Sequence, residues 1–313
     1  MPDSLKRRLK NGLKRGMRGA FEIGQRLGWD LLPRHFYSEI PDIRRLRRSA
    51  GWKRPFPMEG VQGADLAGQE AFLRTIVPPP LVDRVAAGDI HARACQRNGE
   101  PGFGPIEAEC LFAFVHTLRP PRIVQVGCGV STAICLQAAG EAGYRPEIVC
   151  IEPYPSAFLT AADAAGEIRL VRRPVEDLVA AEALADLRAD DLFFVDSTHC
   201  LGPAGEVTRL VLEFLPLLPA GAHAHFHDIY FPYDYSPDVL DGGLFFHHES
   251  PLLHAFLHGN RRFRLSLAMS DLHHRAPRAL AAVFRNYTPA GRDEGLTVGK
   301  GHFPSSAYVM ATA

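Results

Sequence analysis

The strongest constraint on what this chain can fold into is an alternation that begins at residue 122. Short β-rich apolar runs, RIVQVG (122–127), EIVCIE (147–152), EIRLVRR (167–173), DLFFVDS (191–197) and AHAHFHD (222–228), are separated by helical patterns at 131–141, 155–165, 176–187 and 204–216. Strands joined through helices pair in parallel, and right-handed crossovers then cover both faces of the sheet. A helix over 106–118 precedes the series and ends at Pro120-Pro121, while a helix near 250–259 and strands at 262–269 and 306–312 follow it. The pattern predicts an α/β fold with a doubly wound, seven-stranded, mostly parallel sheet. Such sheets bind ligands beyond the carboxyl ends of their strands, near the point where strand order reverses. That rule selects the residues worth examining.

At 313 residues and 46% hydrophobic, the chain buries a sizeable core, which excludes disorder of the whole. No apolar run approaches the roughly 18 residues of a bilayer span, and the start SLKRRLKNGLKRGMRG lacks the apolar stretch of a secretory signal, so a cytoplasmic protein is expected. Six cysteines without C-x-x-C spacing are expected as reduced thiols. The net charge of zero hides a split: residues 1–54 hold 15 Lys and Arg against 5 Asp and Glu, leaving 20 against 30 for the rest. Leu5, Leu9, Leu13, Met17 and Phe21 recur every fourth residue among these cations, which suits an amphipathic helix. Such a head is expected to meet an anionic membrane surface through residues 1–21, a second copy in a homodimer, RNA, or the chain's own acidic face. Three segments are therefore predicted: a basic helical extension over 1–54, a Pro- and Gly-rich linker with a lid helix over 55–104, and the α/β domain over 105–313.

Four strand tips carry chemistry. After the first strand, Gly127 and Gly129 let backbone approach a ligand at a helix N-terminus, with Ser131 as the expected N-cap. A dinucleotide fingerprint would want a third glycine where Thr132 stands, which argues against a pyrophosphate cradle. Glu152 ends the second strand, where a carboxylate accepts both hydroxyls of a ribose. Asp196 ends the fourth strand and His227-Asp228 the fifth, with His199 three residues past Asp196. His223, His225 and His227 share one strand face; alone, HAHFHD also suggests a zinc hydrolase, although the order of ligands and the position in the α/β series differ. Tyr230, Phe231, Tyr233 and Tyr235 form an aromatic run that either covers the cleft or packs on the 245–257 segment.

VQVGCGVSTAI, CIEPYP, LFFVDSTH and LPLLPAGAHAHFHDIYFPYDY resemble the successive motifs of class I S-adenosylmethionine-dependent methyltransferases. The similarity is greatest to the bacterial methyltransferase domain 24 group and more remote to the catechol O-methyltransferases, and it covers roughly 103–270. The resemblance implies methyl transfer from S-adenosylmethionine to a small hydroxylated acceptor. It also implies that Gly127 and Gly129 line the methionine moiety, Ser131 and Thr132 cap it, Glu152 holds the ribose, and Pro174, Val175 and Glu176 edge the adenine. Gln125 stands where the group usually carries Glu. At the catechol-type metal positions are Asp196, His227 and Asp228, and the imidazole there shifts preference from magnesium toward manganese, iron or zinc. His199 takes the place of a lysine that removes the acceptor's proton, so it is expected as general base with Asp196 beside it; an imidazole's ordinary pKa of about 6.5 suits that work. A zinc hydrolase and a non-catalytic binding protein on the same fold remain the alternatives. RNA is less favoured, because the fourth strand lacks an N/D-P-P-Y/F motif for amino methylation.

Overall fold

Seven strands form one sheet in the order β3-β2-β1-β4-β5-β7-β6. They are β1 (Arg122–Val126), β2 (Glu147–Ile151), β3 (Arg169–Val171), β4 (Leu192–Val195), β5 (His223–Phe226), β6 (Phe263–Ala268) and β7 (Ala307–Ala311). The first five pair in parallel, and β7 lies antiparallel between β5 and β6. This is the mostly parallel, doubly wound sheet that the alternation predicts. The computed structural model describes residues 16–38, 40–49, 51–236, 239–240, 244–288 and 303–313.

The chain divides into two compact units, 1–49 and 50–313. The described part of the first holds helix α1 (16–26) and the short α2 (Ile43–Arg48), whose N-terminus is capped by Asp42 accepting from the N–H groups of Arg44 and Arg45. Met17 and Phe21 lie on α1, whereas Leu5, Leu9 and Leu13 of the expected amphipathic helix fall outside the described residues.

In the second unit, strand residues alternate between two cores. Ile123, Cys150 and Phe194 face α6 (Pro105–Leu118), α7 (Val130–Glu141) and α8 (Ala157–Ala164). Val124, Val149 and Phe193 face α9 (Ala180–Ala183), α10 (Glu206–Arg209), the helical turns that continue it to Leu217, and α11 (Glu249–Leu257). Where a helix over 176–187 was expected, a single 3-10 turn at Val175–Asp177 precedes the one-turn α9.

The linker expected over 55–104 is corrected. This stretch belongs to the second unit and builds three helices on the α6 side: α3 (Leu66–Ile76), α4 (Pro79–Ala86) and α5 (Ile90–Asn98). Leu73, Ile76, Val85 and Ile90 are buried in the core. The Pro78-Pro79-Pro80 run starts a helix, because proline's missing N–H costs nothing in a first turn and its fixed φ suits it. Gln69, fully buried, donates through Nε2 to Asp271 at 2.8 Å and accepts from Ala268 N–H at 2.8 Å, tying α3 to the end of β6. Among the described residues, no helix is long and apolar enough to cross a membrane.

Candidate active site at the strand tips

Val126, Val195 and Phe226 lie in register across β1, β4 and β5, so the residues that follow, Gly127, Asp196 and His227, emerge side by side where strand order reverses. The tips are tightly apposed. Gly127 has φ +78°, and a Cβ placed there would fall 1.7 Å from the Asp196 carbonyl oxygen, so only glycine fits. Gly129, at φ +152°, is the N-cap of α7, and no side chain caps that helix. Ser131, expected as the cap, lies inside the first turn and is buried. The Thr132 hydroxyl accepts from Gly129 N–H at 3.3 Å and faces Cys150 in the core, so it shapes the turn and does not face a ligand.

Glu152 sits one strand over. Its Oε2 accepts from Cys128 N–H at 3.3 Å and its Oε1 from Tyr154 N–H at 2.9 Å, which fixes the carboxylate while leaving lone pairs for further donors. Gln125 is fully buried below the turn, its Nε2 without a hydrogen-bond partner. Arg209, which the sequence reading missed, donates to the carbonyls of Val175, Glu176 and Leu178 and holds the 3-10 turn in place.

Between the tips of β4 and β5 lies a dense group of titratable side chains. His199 Nε2 is 3.5 Å from Asp196 Oδ1 and 3.7 Å from Asp228 Oδ2, and its Nδ1 is 2.6 Å from Glu249 Oε2. His227 Nδ1 is 3.2 Å from Asp196 Oδ1 and 3.7 Å from Asp228 Oδ1, and its Nε2 is 3.4 Å from Glu107 Oε2. Ligand atoms of Asp196, His199 and His227 all lie within 4.8 Å of one another. His199 and Asp228 adopt the left-handed backbone region at φ +60° and +53°, as does Phe103 at +60°. Strain of this kind persists where the surroundings over-determine a conformation, and all three residues border this crevice. The Phe103 ring stacks on His227, centroids 4.6 Å apart.

Burial opposes charge on His199, but hydrogen bonds to Asp196 and Glu249 overcome it and raise the imidazole to about 10. Burial likewise opposes charge on His227, yet Asp196 and Glu107 hold it well above the usual imidazole value. Asp196, despite its burial, is held well below the carboxylate range by His227 and His199. This raised value departs from the ordinary imidazole pKa on which the general-base expectation rests.

The other histidines of the strand do different work. His225 is stacked on Phe194 with centroids 4.4 Å apart, neither ring nitrogen has a partner, and burial holds it well below the usual imidazole value. His223 packs between Phe72 and Phe114. Of HAHFHD only the final His-Asp reaches the carboxylates, which removes the basis for the zinc-hydrolase alternative. The aromatic run packs inward: Phe231 against His254 of α11, Tyr233 against His274 and Tyr235 against Phe246. Glu107 and Glu249 were not singled out from the sequence. Glu107 Oε1 accepts from Ser305 N–H and from the Ser306 hydroxyl, while Ser305 Oγ, 3.3 Å from that oxygen, donates its single proton to Asp228 at 2.8 Å.

A sheet of this order, with a glycine turn after β1 and an antiparallel seventh strand, has the Rossmann-like fold of class I S-adenosylmethionine-dependent methyltransferases. Residues 124–229, about a third of the chain, match the family model described as a methyltransferase domain. An uncharacterized protein of Archaeoglobus fulgidus is 32% identical over 146 residues, 44% of this chain and 64% of that protein, so the chain spans a little under two thirds of the curated relative it matches. Among solved structures, the O-methyltransferase TomG from Streptomyces achromogenes, of tomaymycin synthesis and in complex with SAM, is 15% identical over 74% of this chain and 89% of its own, at a TM-score of 0.42. The SAH-bound methyltransferase PaMTH1 of Podospora anserina is 15% identical over 90% of this chain and 100% of its own, at 0.36.

Proposed function

We propose that the protein transfers the methyl group of S-adenosylmethionine to an oxygen of a small hydroxylated acceptor. The observation that carries this reading is the close approach of Gly127 to Asp196, which makes the glycine turn and the Asp196, His199, His227 and Asp228 crevice two halves of one cleft. The chain's residues fit the cofactor. The uncapped first turn of α7 offers N–H groups beside Gly127, Gly129 and Ser131 for the methionine carboxylate, Glu152 retains lone pairs for the ribose hydroxyls, and Val175 with Glu176, braced by Arg209, borders the adenine side. When bound, the cofactor supplies an activated methyl on its sulfonium.

The protein's part is alignment. A nucleophile, a methyl carbon and a sulfur held in line gain much of their acceleration from lost freedom already accounted for on binding. As the O–CH3 bond forms and the C–S bond breaks, the acceptor's hydroxyl proton passes to the Asp196, His199 and Asp228 cluster that faces it, and S-adenosylhomocysteine leaves.

Calorimetric titration with S-adenosylhomocysteine tests the reading. Glu152→Ala weakens binding at least tenfold, about 1.4 kcal/mol, because two ribose hydroxyls lose their acceptor. A folded wild-type chain that gives no heat with near-millimolar ligand overturns the methyltransferase reading.

A further inference from the structure

We infer that Asp196 Oδ1, His199 Nε2 and His227 Nδ1 form a mononuclear site for a borderline divalent ion of the manganese, iron, cobalt or zinc class, with Glu249 and Glu107 as its buried braces. The ligand set differs from the Asp196, His227 and Asp228 set that the resemblance implies, because it replaces Asp228 by His199.

Three observations support it. The first is spacing. Bonds of about 2.0–2.1 Å place neighbouring ligands of a tetrahedral or octahedral ion roughly 3.0–3.4 Å apart, and the two imidazole nitrogens stand 3.5 and 3.2 Å from Asp196 Oδ1. The second is the far side of each ring. A metal-bound histidine characteristically donates its other N–H to a carboxylate, which fixes the tautomer and aims the ligating nitrogen. Both histidines have this arrangement: Glu249 stands at Nδ1 of His199 and Glu107 at Nε2 of His227. Glu249 is fully buried and Glu107 nearly so, and the two donors on Glu107 Oε1, Ser305 N–H and the Ser306 hydroxyl, keep that carboxylate fixed. The third is an orphan. Nδ1 of His227 is buried, lies within ion-pair distance of Asp196 and is not aligned in any hydrogen bond. A buried polar atom aimed into a cluster of ligands asks for a partner.

Asp228 does not complete the same triangle. Its oxygens lie 3.7 Å from each imidazole nitrogen, and Ser305 Oγ donates to Oδ1 at 2.8 Å. Once an ion displaces the protons from both imidazoles, two nitrogens and one carboxylate suit a borderline ion and not magnesium, which demands oxygen ligands in near-ideal octahedral geometry. The Phe103 ring stacks on His227 and holds its imidazole plane in place. An ion held here would sit beside the acceptor oxygen of the proposed transfer, but its binding does not depend on that chemistry.

The test is direct. Chelator-stripped full-length protein is titrated with cobalt(II), and visible absorption and metal analysis are read together. One cobalt per chain with intense visible bands is expected, not displaced by a hundredfold excess of magnesium. His199→Ala loses the bands, Asp228→Asn keeps them, and Glu249→Gln keeps them with affinity lowered about 10–100-fold. Circular dichroism and S-adenosylhomocysteine heats confirm that each variant is folded, and they separate failure of this site from failure of the cofactor reading. Bands that survive His199→Ala and vanish in Asp228→Asn overturn the ligand set. A folded wild type that takes up no stoichiometric cobalt overturns the site.

Discussion

Glu107 and Glu109 stand two residues apart on α6, both buried, and have different surroundings. Glu107 has two donors on one oxygen and an imidazole near the other. Glu109 has one donor, Asn286 Nδ2 at 2.6 Å, and its Oε2 has no hydrogen-bond partner. Burial therefore raises Glu109 from the ordinary carboxyl value of 4.5 to about 7, with Asn286 opposing the shift. The folded protein binds this proton more tightly than the unfolded chain, so the contribution is full below about pH 4.5 and is lost as pH rises through 7. Glu109→Gln is expected to flatten that fall and to raise stability at pH 8 by about 1–3 kcal/mol, the full shift setting the upper end. Urea unfolding of both proteins at pH 5 and pH 8 checks it; equal stability differences at the two pH values would sink the assignment. At this scale the sequence gives up what lies at strand ends. Gly127, Glu152, Asp196, His199 and His227-Asp228 are legible because each closes a recognisable apolar run. Glu249, Glu107 and Ser305 are not, since they reach the site from 50, 120 and 77 residues away from the partners they hold.

Strands were easier to read than connections. All seven strands were placed within a few residues, because the apolar runs are bounded by turn residues and the central strands β1, β4 and β5 are buried on both faces. The helix expected at 176–187 is mostly turn, since its backbone is held by Arg209 from α10, a contact outside its own sequence. The segment 55–104 was misread for the opposite reason: Gly60, Gly63 and the proline run mark turns and a helix start within a packed cap, not a linker. How firmly that cap belongs to the domain is measurable at Gln69. Its replacement by Ala leaves the Ala268 N–H unpaired and removes one of the donors to Asp271, at a cost on the order of 2–3 kcal/mol. A denaturation midpoint that does not move would show that α3 lies loosely on the sheet.

For the molecule as a whole, the two compact units coincide with the charge split within a few residues, the basic stretch ending at Arg54 and the unit boundary falling at 49. In the first unit Trp29, Phe36 and Tyr37 are strongly exposed among arginines. Large apolar side chains flanked by cations suit an anionic bilayer surface. Residues 50–313 alone are expected to keep the S-adenosylhomocysteine affinity of the full chain and to lose its salt-sensitive cosedimentation with phosphatidylserine vesicles. Truncation that unfolds the remainder would assign the basic unit to the core instead. The sheet order carries a different consequence, for the protein while it is being made. β7, the latest strand, slots between two earlier ones, and Ser305 and Ser306 just before it hold Glu107 and Asp228. On the ribosome, β5 and β6 each keep an open edge until residue 311 has cleared the exit tunnel, and open edges invite wrong pairing. A nascent chain therefore has neither a closed sheet nor a finished crevice until that strand is in place.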